Sequence, residues 1–299
     1  MKISISGATG FVGTNLNEYM KDFHQIDPLS IRYFPHQKIE IKGDAVIHLA
    51  GKAHDLKKTS KATEYYESNY ELTKQLFDSF LNSQSSVFIF MSTVKAATDK
   101  VDGVLTEESF SSPKTHYGIA KRQAEEYILS RELPEGKRVY ILRPCMIHGP
   151  KNKGNLNLLY KIVAKGIPWP LGAFKNQRSF LSIENLCFVI KSLIENEKVP
   201  SGLYQIADDE ALSTNDLIIL LGQTLGKRNL IWKINPSFIK FIAQIGDYLG
   251  LPLNSERLEK LTENYVVSNS KIVNALKKNL PVSAKAGLIQ TFESFAENK

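Results

Sequence analysis

Apolar residues follow two rhythms along this chain. Short runs at Ile3-Ser4-Ile5, within 44–51, over Val87-Phe88-Ile89-Phe90-Met91 and over Arg138 to Arg143 have the length and the β-branched or aromatic content of buried strands. Between them apolar positions recur at helical spacing: Leu16, Tyr19 and Met20, then Tyr65, Tyr66, Leu72, Leu76 and Phe80. A further helix is predicted from about Thr115 to Arg131, and a second strand within Gln25 to Tyr33, its limits blurred by Pro28. Strands alternating with helices predict an α/β fold built on a doubly wound parallel sheet, with ligands at the carboxyl ends of the strands.

Beyond Gly149-Pro150 the texture changes to Gly- and Pro-punctuated helices, one over Asn155 to Lys165 and one opening at Ser213. Ser213-Thr214-Asn215-Asp216 has capping-box spacing, and Pro168, Pro170, Pro236, Pro252 and Pro281 divide the remainder into short elements. The pattern predicts a first domain over 1–150 and a smaller, mostly helical lobe over 151–299, with 179–207 returning to the first.

Composition narrows the class. With 299 residues, 42% hydrophobic and 23% charged, the chain is neither disordered, collagenous nor a coiled coil. A formal net charge of +7 favours anionic partners. The Lys-rich run from Lys52 to Lys61 is read as a solvated face, not a nucleic-acid site. Cys145 and Cys187 form neither a disulfide framework nor a metal pattern, and His48, His54, His116 and His148 lack ligand spacing, so no metal is expected. The opening residues run at once into a strand, without a leader, and no apolar run reaches membrane-span length. The expectation is a cytoplasmic protein without membrane insertion.

The chemistry gathers after the strands. In Gly7-x-x-Gly10-x-x-Gly13 the first glycine permits a tight turn, the second a close approach of pyrophosphate, and the third close helix–strand packing; the helix start offers free N–H groups to phosphate. Where an acidic residue would meet ribose hydroxyls, at the end of the second strand, the chain has Ser30 and Ile31 followed by Arg32. A guanidinium there suits a 2′-phosphate, which favours NADP(H) and leaves NAD(H) possible; the competing reading gives Asp27 the ribose contact. Tyr117 and Lys121 stand one helical turn apart, where a cation can stabilise a phenolate.

Taken with Thr93 after the apolar run Val87 to Met91, these landmarks resemble the extended short-chain dehydrogenase/reductases, and within them the NAD-dependent epimerase/dehydratase family acting on nucleotide sugars. The likeness rests on Gly7-Ala8-Thr9-Gly10-Phe11-Val12-Gly13, on 44–51, on Tyr117 to Lys121 and on Arg143-Pro144, and it spans nearly the whole chain. It implies a Rossmann-type sheet in which Gly7, Thr9, Gly10, Phe11, Val12 and Gly13 hold the dinucleotide. Leu49, Ala50 and Gly51 would line the cofactor cleft, Asn69 would support it, and Pro144 would lie at the nicotinamide.

By the same resemblance Tyr117 exchanges the proton of the reacting sugar oxygen, Lys121 lowers the tyrosine's pKa and binds the ribose, and Thr93 hydrogen-bonds the reacting oxygen. Leu72 departs from the family's Asn-x-x-Gly-Thr stretch, so only Asn69 and Thr73 carry over. Ser92, Lys95, Asn155, Arg178 and Arg257 are the substrate-side candidates, the arginines as bidentate phosphate ligands; Lys153 and Arg257 read equally well as surface cations. Val94 and Lys95 follow Thr93 where sugar dehydratases carry Asp-Glu, which disfavours dehydration. Ser92-Thr93-Val94-Lys95 instead resembles the Ser-Ser-x-Lys run of bacterial reductases of UDP-4-keto-6-deoxy-N-acetylhexosamines in polysaccharide synthesis. A UDP-sugar 4-epimerase is the alternative, and a non-catalytic NADP sensor the reading from another class. The resemblance also implies a homodimer, formed through helices beside that of Tyr117.

Overall fold

The computed structural model describes residues 1–53, 61–152, 154–250 and 253–297. Its first half runs β1 (Lys2–Ser6), α1 (Phe11–Met20), β2 (Gln25–Leu29), β3 (Ala45–His48), α2 (Ala62–Tyr66), a π-helical turn (Glu67–Glu71), α3 (Leu72–Leu81), β4 (Val87–Met91), β5 (Val104–Leu105), α4 (His116–Leu129), β6 (Arg138–Pro144) and β7 (Met146–His148). Then come α5 (Asn155–Ala164), β8 (Arg178–Ser182), α6 (Ile183–Glu195), β9 (Gly202–Ile206), β10 (Ala211–Leu212), α7 (Thr214–Thr224), α8 (Pro236–Leu249), α9 (Ser255–Thr262), β11 (Val266–Val267), α10 (Ser270–Leu276) and α11 (Ala284–Glu297).

The main sheet has six strands in the order β2-β1-β3-β4-β6-β9, all parallel, which makes the fold a Rossmann-type doubly wound sheet. Period-two burial sends Ile3, Ile5, Ala45, Ile47, Val87 and Ile89 to one face, under α1, α6 and α10. Val46, Phe88, Phe90, Val139 and Ile141 go to the other, under α3 and α4. Pro28 is accommodated because β2 is the edge strand, where a missing N–H breaks no inner ladder. Residues 30–44 cross back from β2 to β3 without a helix, a departure from strict alternation. Because β2 and β3 lie on opposite sides of β1, the loops after β1 and β3 part there, and a crevice opens at the strands' carboxyl ends.

A second apolar cluster, with Leu159, Trp169, Phe180, Leu221 and Phe292, sits among α5, α7, α8, α9 and α11. The Ser213 hydroxyl and the Asp216 carboxylate do cap α7 reciprocally. The segment from α6 to β9 returns to the main sheet: Leu186, Val189 and Ile190 pack beside α1, and β9 extends the sheet from β6. Ile272 and Leu276 of α10 join the same layer.

Candidate active site

A cleft of about 1250 Å³ runs along the carboxyl edge of the sheet. At one end lies the glycine loop. Gly7 has φ +73°, and a Cβ there would stand 2.7 Å from the Ala50 nitrogen; a Cβ on Gly13 would stand 2.4 Å from the Gly7 oxygen. Neither position admits a side chain. Gly10 begins α1 with no side-chain cap, and the first turn holds no acid. Thr9, Phe11 and Val12 line the cleft at this helix start, where unsatisfied N–H groups and the helix dipole favour an anion.

The neighbouring wall is set by a buried polar chain. Thr73 Oγ1 donates to the Asn69 carbonyl, so it accepts from His48 Nε2; the Ser6 hydroxyl then donates to His48 Nδ1 and accepts from the Ala50 N–H. Burial, and secondarily the Lys121 charge, press the His48 pKa to about 3, so this imidazole is neutral. Asn69 sits in the π-helical turn, a distortion frequent at functional sites. Its side-chain amide clamps both backbone groups of Lys52, at 3.0 and 3.1 Å. Asn69 thereby shapes the loop carrying Leu49 and Gly51, which line the cleft together with Asn69 itself.

At the centre, β4 delivers Ser92 and Thr93, while α4, capped by the Thr115 hydroxyl, presents Tyr117 and Lys121 one turn apart. The Lys121 ammonium donates to the Met91 carbonyl at 2.8 Å and lies 4.5 Å over the Phe90 ring. Burial lowers its pKa to about 7, against a smaller opposing effect of Glu125. Tyr117 departs from the lowered pKa expected of it: burial raises its phenol to about 12, offset in part by a hydrogen bond with Thr93. The reason is that the ammonium is committed to Met91 and itself titrates near neutrality, so desolvation of the phenolate dominates.

Ser92 borders the cleft, but its hydroxyl donates to Glu125 at 2.5 Å, inside a network where Arg143 binds the same carboxylate through Nε at 2.8 Å and Nη2 at 2.5 Å. Glu125 and Arg143 are fully buried, so Ser92 braces the site and presents no free donor to a ligand.

The opposite wall brings in residues from far along the chain. Lys95 Nζ donates to the Asp99 carbonyl and lies 4.5 Å over the Tyr265 ring. Burial lowers the Lys95 pKa despite the nearby carboxylates of Glu263 and Asp99. Tyr265 in turn donates to the carbonyls of Val94 and Thr98 and so holds the loop after Thr93. Arg178 lines the cleft while donating to the Lys260 carbonyl and lying 3.4 Å from Glu263.

The structure thus gathers Gly7, Thr9, Gly10, Phe11, Val12, Leu49, Gly51, Asn69, Ser92, Thr93, Lys95, Tyr117, Lys121, Pro144 and Arg178 around one cleft. Gly13 and Ala50 pack behind the glycine loop. Arg257 is exposed on α9 and lines no part of the cleft. Arg32 is exposed beyond β2, also outside the lining. Asp27 sits in mid-strand, bonded to the Ser4 hydroxyl and 3.6 Å from Lys2 Nζ, away from the strand's carboxyl end. His54, Lys153, Pro252, most of the Lys52–Lys61 run and the side chain of Asn155 lie outside the described residues. Tyr265, Lys151 and Asn152 line the cleft without having been singled out from sequence; the polar residues right after Gly149-Pro150 were the only local signal, and Tyr265 had none.

Comparison with known proteins places this geometry. The model of the NAD dependent epimerase/dehydratase family matches residues 3–207. The UDP-glucose 4-epimerase of Vibrio cholerae is 28% identical over 319 aligned positions, which cover 99% of this chain and 95% of that protein. Among solved structures, the UDP-N-acetylglucosamine 4-epimerase from Bacillus cereus superposes with a TM-score of 0.75 at 21% identity, over 99% of each chain. RMD from Pseudomonas aeruginosa complexed with NADPH superposes at 0.74 and 19% identity, over 100% of this chain and 99% of that one.

Proposed function

The chain belongs to the NAD dependent epimerase/dehydratase family of extended short-chain dehydrogenase/reductases and is an enzyme, and from that premise we propose that it is an NAD(P)-dependent nucleotide-sugar oxidoreductase. Its substrate in this reading is a UDP-4-keto-6-deoxy-N-acetylhexosamine, reduced at C4. The cofactor assignment meets its own test in the chain: the cradle at Gly7 and Gly13 tolerates no Cβ, and the helix start above it has no cap of its own. Gly10, Phe11 and Val12 would hold the pyrophosphate there, and Lys121 the ribose beside nicotinamide. A bound nicotinamide dinucleotide supplies the hydride.

What supports the reductive direction is the run Ser92-Thr93-Val94-Lys95 after β4, which resembles that of bacterial 4-keto-sugar reductases, and the buried phenol of Tyr117 suits it. A phenol pushed to about 12 keeps its proton at neutral pH and is a donor to a carbonyl oxygen that becomes an alkoxide. Thr93 would hydrogen-bond the same oxygen and fix its distance from the phenol. Lys95 and Arg178 give the far wall the charge that a nucleoside diphosphate requires.

With UDP-4-keto-6-deoxy-N-acetylglucosamine and NADPH, the enzyme should oxidise NADPH in step with product. Tyr117→Phe should lower kcat by roughly 10²- to 10⁴-fold while cofactor affinity stays within a few-fold. The second reading, a UDP-sugar 4-epimerase, draws on the full-length likeness to the Vibrio cholerae protein. Interconversion of a UDP-hexose and its C4 epimer without net NAD(P)H loss, and no reduction of the keto sugar, would replace the first reading with the second.

A further inference from the structure

Large apolar side chains stand exposed singly over most of the surface, as at Phe23, Phe34 and Phe110, and single ones need no explanation. Between 230 and 249 they crowd. Phe238, Phe241, Ile245, Tyr248 and Leu249 fall within an arc of about 100° on α8. Phe238, Phe241 and Tyr248 expose 56%, 58% and 91% of their surface. The helix is not inside out, because Ile239, Ala243 and Gly246 pack inward against the helical lobe. It is apolar on two faces, and only one of them is covered. Trp232, 54% exposed, lies in the segment just before the helix.

Charge decides what would cover it. Over 227–249 the cations are Lys227, Arg228, Lys233 and Lys240, all exposed, while the single acid, Asp247, is engaged by the N–H and hydroxyl of Ser255. A second copy of this chain meeting the same face would set cations against cations. A surface of lipid phosphates would take them, and aromatic side chains with a polar edge prefer the boundary between headgroups and acyl chains.

We propose that the outer face of α8, with the segment leading into it, is a docking surface for an anionic lipid bilayer. Phe238, Phe241, Tyr248 and Leu249 enter the interfacial layer, and Arg228, Lys233 and Lys240 meet lipid phosphates. The attachment is peripheral: among the described residues no helix is long and apolar enough to cross a membrane. Through α8 the bilayer sits next to α9, whose Lys260 carbonyl receives Arg178 of the cleft wall. The proposal stands apart from the nucleotide-sugar reading and does not need it.

Sedimentation of the full chain with sucrose-loaded vesicles tests it. Vesicles of phosphatidylethanolamine with about one quarter phosphatidylglycerol should carry the protein down, vesicles of phosphatidylcholine alone should not, and high salt should release it. Phe238→Ser, Phe241→Ser and Tyr248→Ser together should lower partition at least about tenfold with the melting temperature unchanged. Arg228→Gln, Lys233→Gln and Lys240→Gln should each cost about fivefold. Absence of binding to the anionic vesicles, or equal binding by the triple serine variant, would overturn the proposal. So would a parent dimer that the triple variant converts to monomer in sedimentation equilibrium, since the face would then belong to a second copy.

Discussion

Lys121 shows how one side chain can sit at odds with its own charge. It is 3% exposed, and a lysine released into water keeps its proton to a much higher pH than the value of about 7 that burial imposes here. Above that value the unfolded chain binds one more proton than the folded one, so stability rises with pH until the unfolded lysine also titrates. The burial cost is therefore fully present below about pH 7 and is relieved on the alkaline side. Lys121→Met should remove that dependence: its melting temperature relative to the parent should be highest at about pH 6 and the difference should shrink toward about pH 10. Differential scanning fluorimetry of both proteins across that range reads it, and parallel curves would mean that Lys121 titrates normally. The same variant should bind NAD(P)H more weakly. Tyr117 is the complementary case, a group whose proton is held by burial, and neither shift could be read from the spacing of the two residues, which says only that they share a helix face.

At the scale of elements, the site depends on how β4, α4 and β6 are pinned together. Glu125 of α4 receives Ser92 from the end of β4 and a two-point contact from Arg143 of β6, all out of water. Removing one charge strands the other in the interior. Glu125→Gln should cost about 3–5 kcal/mol in urea unfolding, and Glu125→Leu combined with Arg143→Met should cost much less than the sum of the two single changes. A double variant no better than the sum would mean the two charges do not act as a pair. The sequence spacing placed Glu125 one turn beyond Lys121, but partners on three different elements have no common period, so the network was invisible before folding. The π-helical turn at Glu67–Glu71 was equally silent: the apolar pattern through Leu72, Leu76 and Phe80 reads as an uninterrupted helix, while the turn sets the amide contacts of Asn69 to Lys52. The Ser213–Asp216 cap, by contrast, is a contact within one turn and was legible as written.

For the whole molecule the open question at the cleft is which dinucleotide it prefers. Sheet order puts the carboxyl end of β2 beside that of β1, so the segment carrying Arg32 leaves the sheet next to the glycine loop. Asp27 is engaged in mid-strand, and the residues directly after β2 are Ser30, Ile31 and Arg32, none of them acidic. NADP(H) should bind more tightly than NAD(H), and Arg32→Ala should narrow the gap by about tenfold, chiefly by weakening NADP(H). Fluorescence titration of both cofactors into both proteins checks this; equal affinities in the parent would return Arg32 to the solvent. By itself the sequence determined what is local or periodic: the strand and helix alternation, the glycine loop, the Tyr117–Lys121 pair and the strand over Val87 to Met91 that delivers Thr93. Each depends on residues within a turn or a strand of one another, where backbone geometry leaves few choices. Only the tertiary structure decided the rest. It brought Tyr265 against Lys95, set α10 under the main sheet beside α6, left one apolar face of α8 open and put Arg257 outside the cleft, because which surfaces meet is settled by packing between distant segments, and the pKa values of Tyr117 and Lys121 follow from that burial.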